Sequence, residues 1–154
     1  MYTKYVAISI ESMKKLAGDI AGAAKALDVI LLSGAVGAGK TTFSKFFINA
    51  FLPNEVVSSP TFNLVNLYHY ENFAIWHFDL YRIKSFDELY ELGMEEALST
   101  GITIIEWPEL VFDFIKLPLE IRINHNVQSN NRDIIIKSNI NWQKRLRNLE
   151  VILN

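Results

Sequence analysis

The chain has 154 residues, half of them hydrophobic and ten of them Phe, which is enough for one well-buried domain and too few for two ordinary ones. That composition argues against disorder, and no apolar run approaches the roughly 20 residues that a bilayer span requires. Fifteen basic against seventeen acidic residues give a net charge of −2, so no global field favours nucleic acid, and the lack of cysteine excludes disulfides and thiolate metal sites.

Tyr5 to Ile10 reads as a strand, not as the basic segment and apolar core of a secretory signal, so a soluble, cytoplasmic protein is expected. Met13, Leu16, Ala17, Ile20, Ala24 and Leu27 then repeat at helical spacing, with Ser9 and Ser12 both suited to cap the helix. Packing accounts for this stretch, although its position just before the next motif also lets it cover a base or ribose.

Val29-Ile30-Leu31-Leu32 is a short apolar run, rich in β-branched residues, of the kind buried on both faces of a parallel sheet. It leads into Gly34-Ala35-Val36-Gly37-Ala38-Gly39-Lys40-Thr41, a full match to the Gly-x-x-x-x-Gly-Lys-[Ser/Thr] phosphate-binding loop. Phe43, Phe46, Phe47, Ala50 and Phe51 follow at helical spacing and predict a helix that stops near Pro53. The glycines let successive N–H groups converge on phosphate oxygens at the positive end of a helix. Lys40 would bridge the β- and γ-phosphates and the Thr41 hydroxyl would ligate Mg²⁺. A glycine-rich turn that merely joins a strand to a helix is the plainer alternative, and the strand, loop and helix context argues against it.

Beyond this helix, Ser59-Pro60-Thr61 interrupts the pattern; it is either a common turn or a hydroxyl-bearing loop that senses the γ-phosphate. Phe62 to Tyr70 and Phe73 to Phe78, joined at Glu71-Asn72, predict a hairpin whose second strand ends on Asp79. A carboxylate at that strand end suits an acid beside Mg²⁺. His77 reads as a core or edge residue, because no second His lies at metal spacing. Arg82 could sense phosphate or form a surface ion pair. Ser85-x-x-Glu88 predicts a capping box before a short helix ending at Gly93, with Asp87, Glu88, Glu91, Glu95 and Glu96 as an acidic, solvated face.

Ile102 to Glu106 is a second apolar strand ending in an acid, so Asp79 and Glu106 together offer a metal ligand and a residue to orient water. Trp107 directly after it suits the core or a lid over the site, with packing favouring the core. Leu119 to Asn124 and Arg132 to Lys137 predict two further strands. Trp142, Leu146, Leu149 and Leu153 then mark a C-terminal helix whose Lys144, Arg145 and Arg147 read as a solvated basic face.

Several motifs in fixed order resemble one family: TsaE, also called YjeE, the small bacterial ATPase of tRNA threonylcarbamoyladenosine synthesis. They are Gly37-Ala38-Gly39-Lys40-Thr41-Thr42-Phe43, Ser59-Pro60-Thr61-Phe62-x-Leu64, His77-Phe78-Asp79-Leu80-Tyr81-Arg82, Glu91-Leu92-Gly93 with Glu95-Glu96, and Ile105-Glu106-Trp107-Pro108-Glu109. Arg132-Asp133-Ile134 is similar to the family's C-terminal strand. The resemblance implies ATP/ADP contacts from Gly37, Ala38, Gly39, Lys40, Thr41, Thr42, Thr61, Trp107 and Arg132. It also implies Mg²⁺ held at Thr41 and Glu106 with Asp79 supporting hydrolysis, Asp79 being the alternative ligand. Implied partners are TsaB and TsaD, the latter transferring threonylcarbamoyl to adenosine 37 of tRNAs that read ANN codons. ATP hydrolysis would reset that complex, and tRNA would be met only through it. Two departures stand out: Ala35-Val36 replaces the usual Asp-Leu, and Lys45-Phe46 stands where Arg-Gly is usual.

Two other P-loop functions compete. A small-molecule or nucleotide kinase normally needs a mobile, arginine-bearing lid, and no Arg lies between Gly93 and Leu119. A GTP-dependent switch would carry Asn-Lys-x-Asp, which is absent from the sequence. The expectation is therefore a slow, partner-dependent ATPase in a single α/β domain over residues 1–154. Its sheet should be mostly parallel with antiparallel additions, and helices should cover both faces.

Overall fold

The computed structural model describes residues 1–147. Its centre is the apolar run that precedes the phosphate loop, β2 (Val29–Ser33), four of whose five residues are buried. Parallel neighbours flank it, β5 (Ile102–Glu106) on one side and β6 (Leu119–His125) on the other, and β4 (Phe73–Asp79) adds in parallel beyond β5. Antiparallel strands finish both edges: β3 (Val65–Tyr70) pairs with β4, while β7 (Arg132–Lys137) and then β1 (Tyr2–Ile8) extend from β6. The order is β1-β7-β6-β2-β5-β4-β3, a mixed sheet with a parallel middle as the sequence predicts.

Alternation along β2 divides the core. Ile30 and Leu32 join α1 (Ile10–Ala23), α2 (Lys40–Phe51) and Trp142 of α5 (Ile140–Leu146) on one face of the sheet. Val29 and Leu31 join the other face, with Leu89 of α3 (Phe86–Glu91), Met94 and Ala97 of α4 (Met94–Thr100), and Val111 of a short 3₁₀ turn. A strand so covered needs no polar face, which is why its four buried residues, Val29 to Leu32, are all apolar.

Several predicted boundaries move, each for a local reason. The N-terminal strand starts and ends earlier than Tyr5 to Ile10, because Ser9 turns the chain by capping α1 through the Ser12 N–H. That helix ends at Ala23; the Asp28 carboxylate accepts from the Lys25 N–H in the turn that follows, and Leu27 is exposed at φ +76°. On α2, Phe43, Phe47 and Ile48 are buried and Ala50 is exposed. The hairpin's first strand begins at Val65, since Thr61 to Leu64 form a turn. Ser85 caps α3 as expected, but the Glu88 carboxylate accepts from the Lys84 N–H instead of the Ser85 N–H.

The helix α4 was not anticipated. Gly93 ends α3 and caps α4 at φ +85°, and a Cβ there would press on the Trp76 ring. At the C-terminus, Arg145 is not simply a solvated base: its guanidinium pairs with both Asp28 oxygens at 2.6 and 2.9 Å and stacks 4.1 Å from the Trp142 ring. Leu149 and Leu153 lie outside the described residues. Among the described residues no helix is long and apolar enough to cross a membrane.

Candidate functional site

The phosphate loop takes backbone shapes that its glycines permit. Gly34 sits at φ +140°, where a Cβ would run into the Ile123 carbonyl oxygen of β6. Gly39 caps α2 at φ +114° and brings no side-chain acceptor, so the positive end of the helix is left without a capping side chain, as a helix end suited to an anion requires. Behind the loop, Ala38 is fully buried and its carbonyl accepts from Arg132 Nε at 2.7 Å. The rest of that guanidinium reaches the carbonyls of Asn130, Asn131 and Gly37, so Arg132 braces the loop from behind. It borders a second small cleft that shares Gly39 and Thr42 with the main one.

Lys40, 5% exposed, is folded back onto its own loop. Its Nζ donates to the carbonyls of Gly34 and Ala35 at 2.7 and 2.8 Å and lies 4.0 Å from the centroid of the Trp107 ring. Burial holds its pKa below the ordinary lysine range, against the opposing pull of Glu106, Asp79 and Glu109. Trp107 reaches this position because β5 ends at Glu106 and the chain turns at once, with Trp107 at φ +56° and its ring against Tyr81. Neither the core nor a free surface describes it; the ring walls the site.

The two acids meet because β4 and β5 run parallel with Asp79 opposite Glu106 in register. Both are buried. Glu106 Oε2 accepts from the Thr41 hydroxyl at 3.0 Å, while its Oε1 lies 2.7 Å from His77 Nε2 and 3.1 Å from Ser44 Oγ. Asp79 accepts from the Tyr81 N–H at 3.0 Å and, at 3.4 Å, from the hydroxyl of Thr61, which is also 2.6 Å from Ser59 Oγ. Gly37, Gly39, Lys40, Thr41 and Thr42 line one side of a cleft of about 360 Å³, and Thr61, Asp79, Tyr81, Glu106 and Trp107 line the other. Of the residues expected at the site, only Ala38 and Arg132 stand outside this lining. Arg82 lies elsewhere, over the Phe62 ring beside Glu88 and Glu91.

Among the described residues no set of three or more His, Asp or Glu could cage a metal. The donors of the cleft still suit Mg²⁺, which keeps much of its shell for water and phosphate oxygens and takes one or two carboxylates from the protein. A hydroxyl and a carboxylate oxygen 3.0 Å apart, with a second carboxylate in register beside them, are chemically such a set. Two further residues of the site escaped the sequence reading. His77 is two positions before Asp79, on the same face of β4, and Ser44 is three positions after Thr41, on the same face of α2. Those spacings were the available signal.

A family model described as "Threonylcarbamoyl adenosine biosynthesis protein TsaE" matches residues 7–134. The chain belongs to the TsaE family. It is 46% identical over 125 residues to the tRNA threonylcarbamoyladenosine biosynthesis protein TsaE of Rickettsia conorii, covering 80% of this chain and 71% of that protein. With the protein of the same name from Bacillus subtilis it shares 36% identity over 118 residues, 76% of this chain and 72% of the relative. The crystal structure of B. subtilis YdiB is similar across 100% of this chain and 97% of its own, with a TM-score of 0.76 at 25% identity. The TsaE match therefore takes in β2, the phosphate loop, both acid-bearing strand ends and Arg132.

Proposed function

We propose that this TsaE-family chain binds and slowly hydrolyses ATP with Mg²⁺, as the nucleotide-driven subunit of tRNA threonylcarbamoyladenosine formation. In this reading it resets a TsaB–TsaD complex in the cytoplasm and meets tRNA only through that complex. The observation that carries the proposal is the convergence of Lys40, Thr41 and Glu106 in one cleft at the N-terminus of α2, with the Thr41 hydroxyl 3.0 Å from the Glu106 carboxylate.

The work is divided among the chain's own groups. Lys40 leaves the Gly34 and Ala35 carbonyls for the β- and γ-phosphoryl oxygens, and the amides of the loop and of the first turn of α2 hold the remaining phosphate charge. Thr41 and Glu106 hold Mg²⁺, which when bound neutralises charge on the transferred phosphoryl group. Asp79 orients the attacking water, and Thr61 beside it registers whether a γ-phosphate is present. The products are ADP and inorganic phosphate, and catalysis rests on electrostatic stabilisation. No arginine lines the cleft among the described residues, which agrees with slow turnover and stimulation by a partner.

The test is reconstitution. Purified protein, TsaB, TsaD, tRNA and ATP are combined, and modified tRNA is counted per TsaD. Repeated cycles should require this chain, and Lys40→Ala should hold the system to a single round. Multiple rounds with the Lys40→Ala variant would refute the proposal.

A further inference from the structure

We propose that His77, together with Ser44, is a positioning residue that fixes the Glu106 carboxylate for the divalent cation. This rests on Glu106 as the metal-side acid in the function proposed above.

A glutamate side chain has three torsions, and left alone its carboxylate samples several orientations. Here the fold's donors gather on one oxygen. Glu106 Oε1 lies 2.7 Å from His77 Nε2 and 3.1 Å from Ser44 Oγ, whose proton is shared with the Lys40 carbonyl at 3.0 Å. The other oxygen, Oε2, is turned to the cleft, where its partner is the Thr41 hydroxyl. His77 and Ser44 are both 0% exposed, so water does not compete for these bonds. One oxygen is therefore committed to the protein and one remains for the cation.

Among the described residues His77 has no other polar partner. Its Nδ1 is buried with no partner among the described residues. Taking an imidazole fully out of water costs free energy that its hydrogen bonds must offset, and an apolar side chain would fill the same volume without that cost. The bond to Glu106 is the one compensation present. The placement also follows from topology: β4 lies between β3 and β5 and carries His77 and Asp79 on one face by its period of two. A single strand thus delivers one acid to the cleft and the anchor for the other.

The experiment compares two amides at position 77. A glutamine places its NH₂ near the position of the imidazole Nε2, whereas an asparagine is too short to reach Glu106. A purely space-filling role would show in the stability of the fold, where the smaller asparagine costs more, and not in the Mn²⁺ affinity of the folded protein. The affinity of the protein–ADP complex for Mn²⁺, a spectroscopic stand-in for Mg²⁺, is read by electron paramagnetic resonance titration, and ADP uptake in EDTA is measured in parallel. In His77→Asn the Mn²⁺ affinity should fall roughly 10- to 100-fold, the range for losing a residue that orients a metal ligand. His77→Gln should stay close to the wild type, and ADP uptake in EDTA should be unchanged in both.

Ser44→Ala is the companion variant, since alanine is favourable inside a helix and the fold is not at risk. Its Mn²⁺ affinity should fall by a smaller factor, and this reads the anchor of Oε1 even where a position-77 variant does not fold. Equal affinities in the two amides, or an unchanged affinity in Ser44→Ala, would overturn the inference while leaving the proposed function standing. A wild-type ADP complex that binds no Mn²⁺, or a Glu106→Gln variant that binds it as well as the wild type, would overturn the metal role of Glu106 and this inference with it.

Discussion

Replacing Lys40 with Met should abolish function and at the same time make the nucleotide-free protein more stable. Lys40 is 5% exposed, and burial is the largest influence on its ammonium, holding its pKa below the ordinary lysine value of 10.5. At pH 7 the group is charged both in the folded and in the unfolded chain, so the cost of burying that charge is fully present. The cost is relieved only as pH rises through the depressed folded pKa toward 10.5. A methionine keeps the stem and removes the charge. The Gly34 and Ala35 carbonyls lose their donor, but neither residue is buried and the cleft is open to water. Binding goes the other way. Two negative charges on a phosphoryl group about 4 Å from the ammonium contribute roughly 8 kcal/mol at an effective dielectric near 20. Leaving two carbonyls and the Trp107 ring costs about half of that. The net of about 4 kcal/mol corresponds to a roughly thousandfold weaker Kd for ATP. Urea denaturation should show Lys40→Met above wild type at pH 7, with the gap narrowing toward pH 10, and calorimetry should show ATP uptake lost. A variant less stable than wild type at pH 7, or one whose Kd lies within tenfold of wild type, would refute this account of the resting lysine.

Three other outcomes are expected. Glu106→Gln should raise the Mg²⁺ concentration for half-maximal ATPase activity by about tenfold or more; an unchanged requirement moves the metal role to Asp79. Arg145→Ala should lower the unfolding free energy by about 3 kcal/mol, since it breaks the paired hydrogen bonds to Asp28 and the stack on Trp142, and it should leave ATP binding untouched. Arg132→Ala should cost about 1–3 kcal/mol by leaving the buried Ala38 carbonyl without its donor, and amide exchange in the loop should speed up in step. Urea melts of the last two variants, with exchange measured on Gly37 and Gly39, decide both.

What could be read in the sequence was what local chemistry dictates. The apolar run Val29 to Leu32, the glycine-rich loop and the two strands ending on Asp79 and Glu106 each carry their signal within a few residues, and the fold follows from them. What could not be read depends on tertiary placement. Gly93 looked like a helix end and is also a helix start, packed so that a Cβ there would meet the Trp76 ring of β4, a contact set by how α4 lies on the sheet. Arg145 looked like a solvated base until Asp28, more than a hundred residues earlier, came within 2.6 Å. His77 looked inert for lack of a second His, whereas its partner is a carboxylate on the next strand, chosen by sheet pairing and not by sequence spacing. Arg132 carries a family signal for nucleotide contact, and its hydrogen bonds to the Ala38 and Gly37 carbonyls of the phosphate loop, beside those to Asn130 and Asn131, depend on where β7 lies in the sheet.

These bonds give the resting site a consistent logic. The loop's carbonyls are occupied by Lys40 from the front and by Arg132 from behind, and Trp107 stacks on Lys40. In the function proposed above, nucleotide binding would therefore be an exchange in which Lys40 gives up three contacts, not an addition to an open cradle. Because Trp107 directly follows Glu106, a backbone shift accompanying movement of the ring off Lys40 would reach the acid proposed to face the metal. Glu106 is held against that movement by His77 and Ser44, from β4 and α2, neither of which shares the Trp107 turn. The lysine contact can then change with the nucleotide while the carboxylate stays fixed. A Trp107 emission that shifts on adding ADP without a divalent ion would report the first half of that separation. A Mn²⁺ affinity unchanged in Trp107→Phe would report the second, and a large loss of that affinity would show that the two halves move as one.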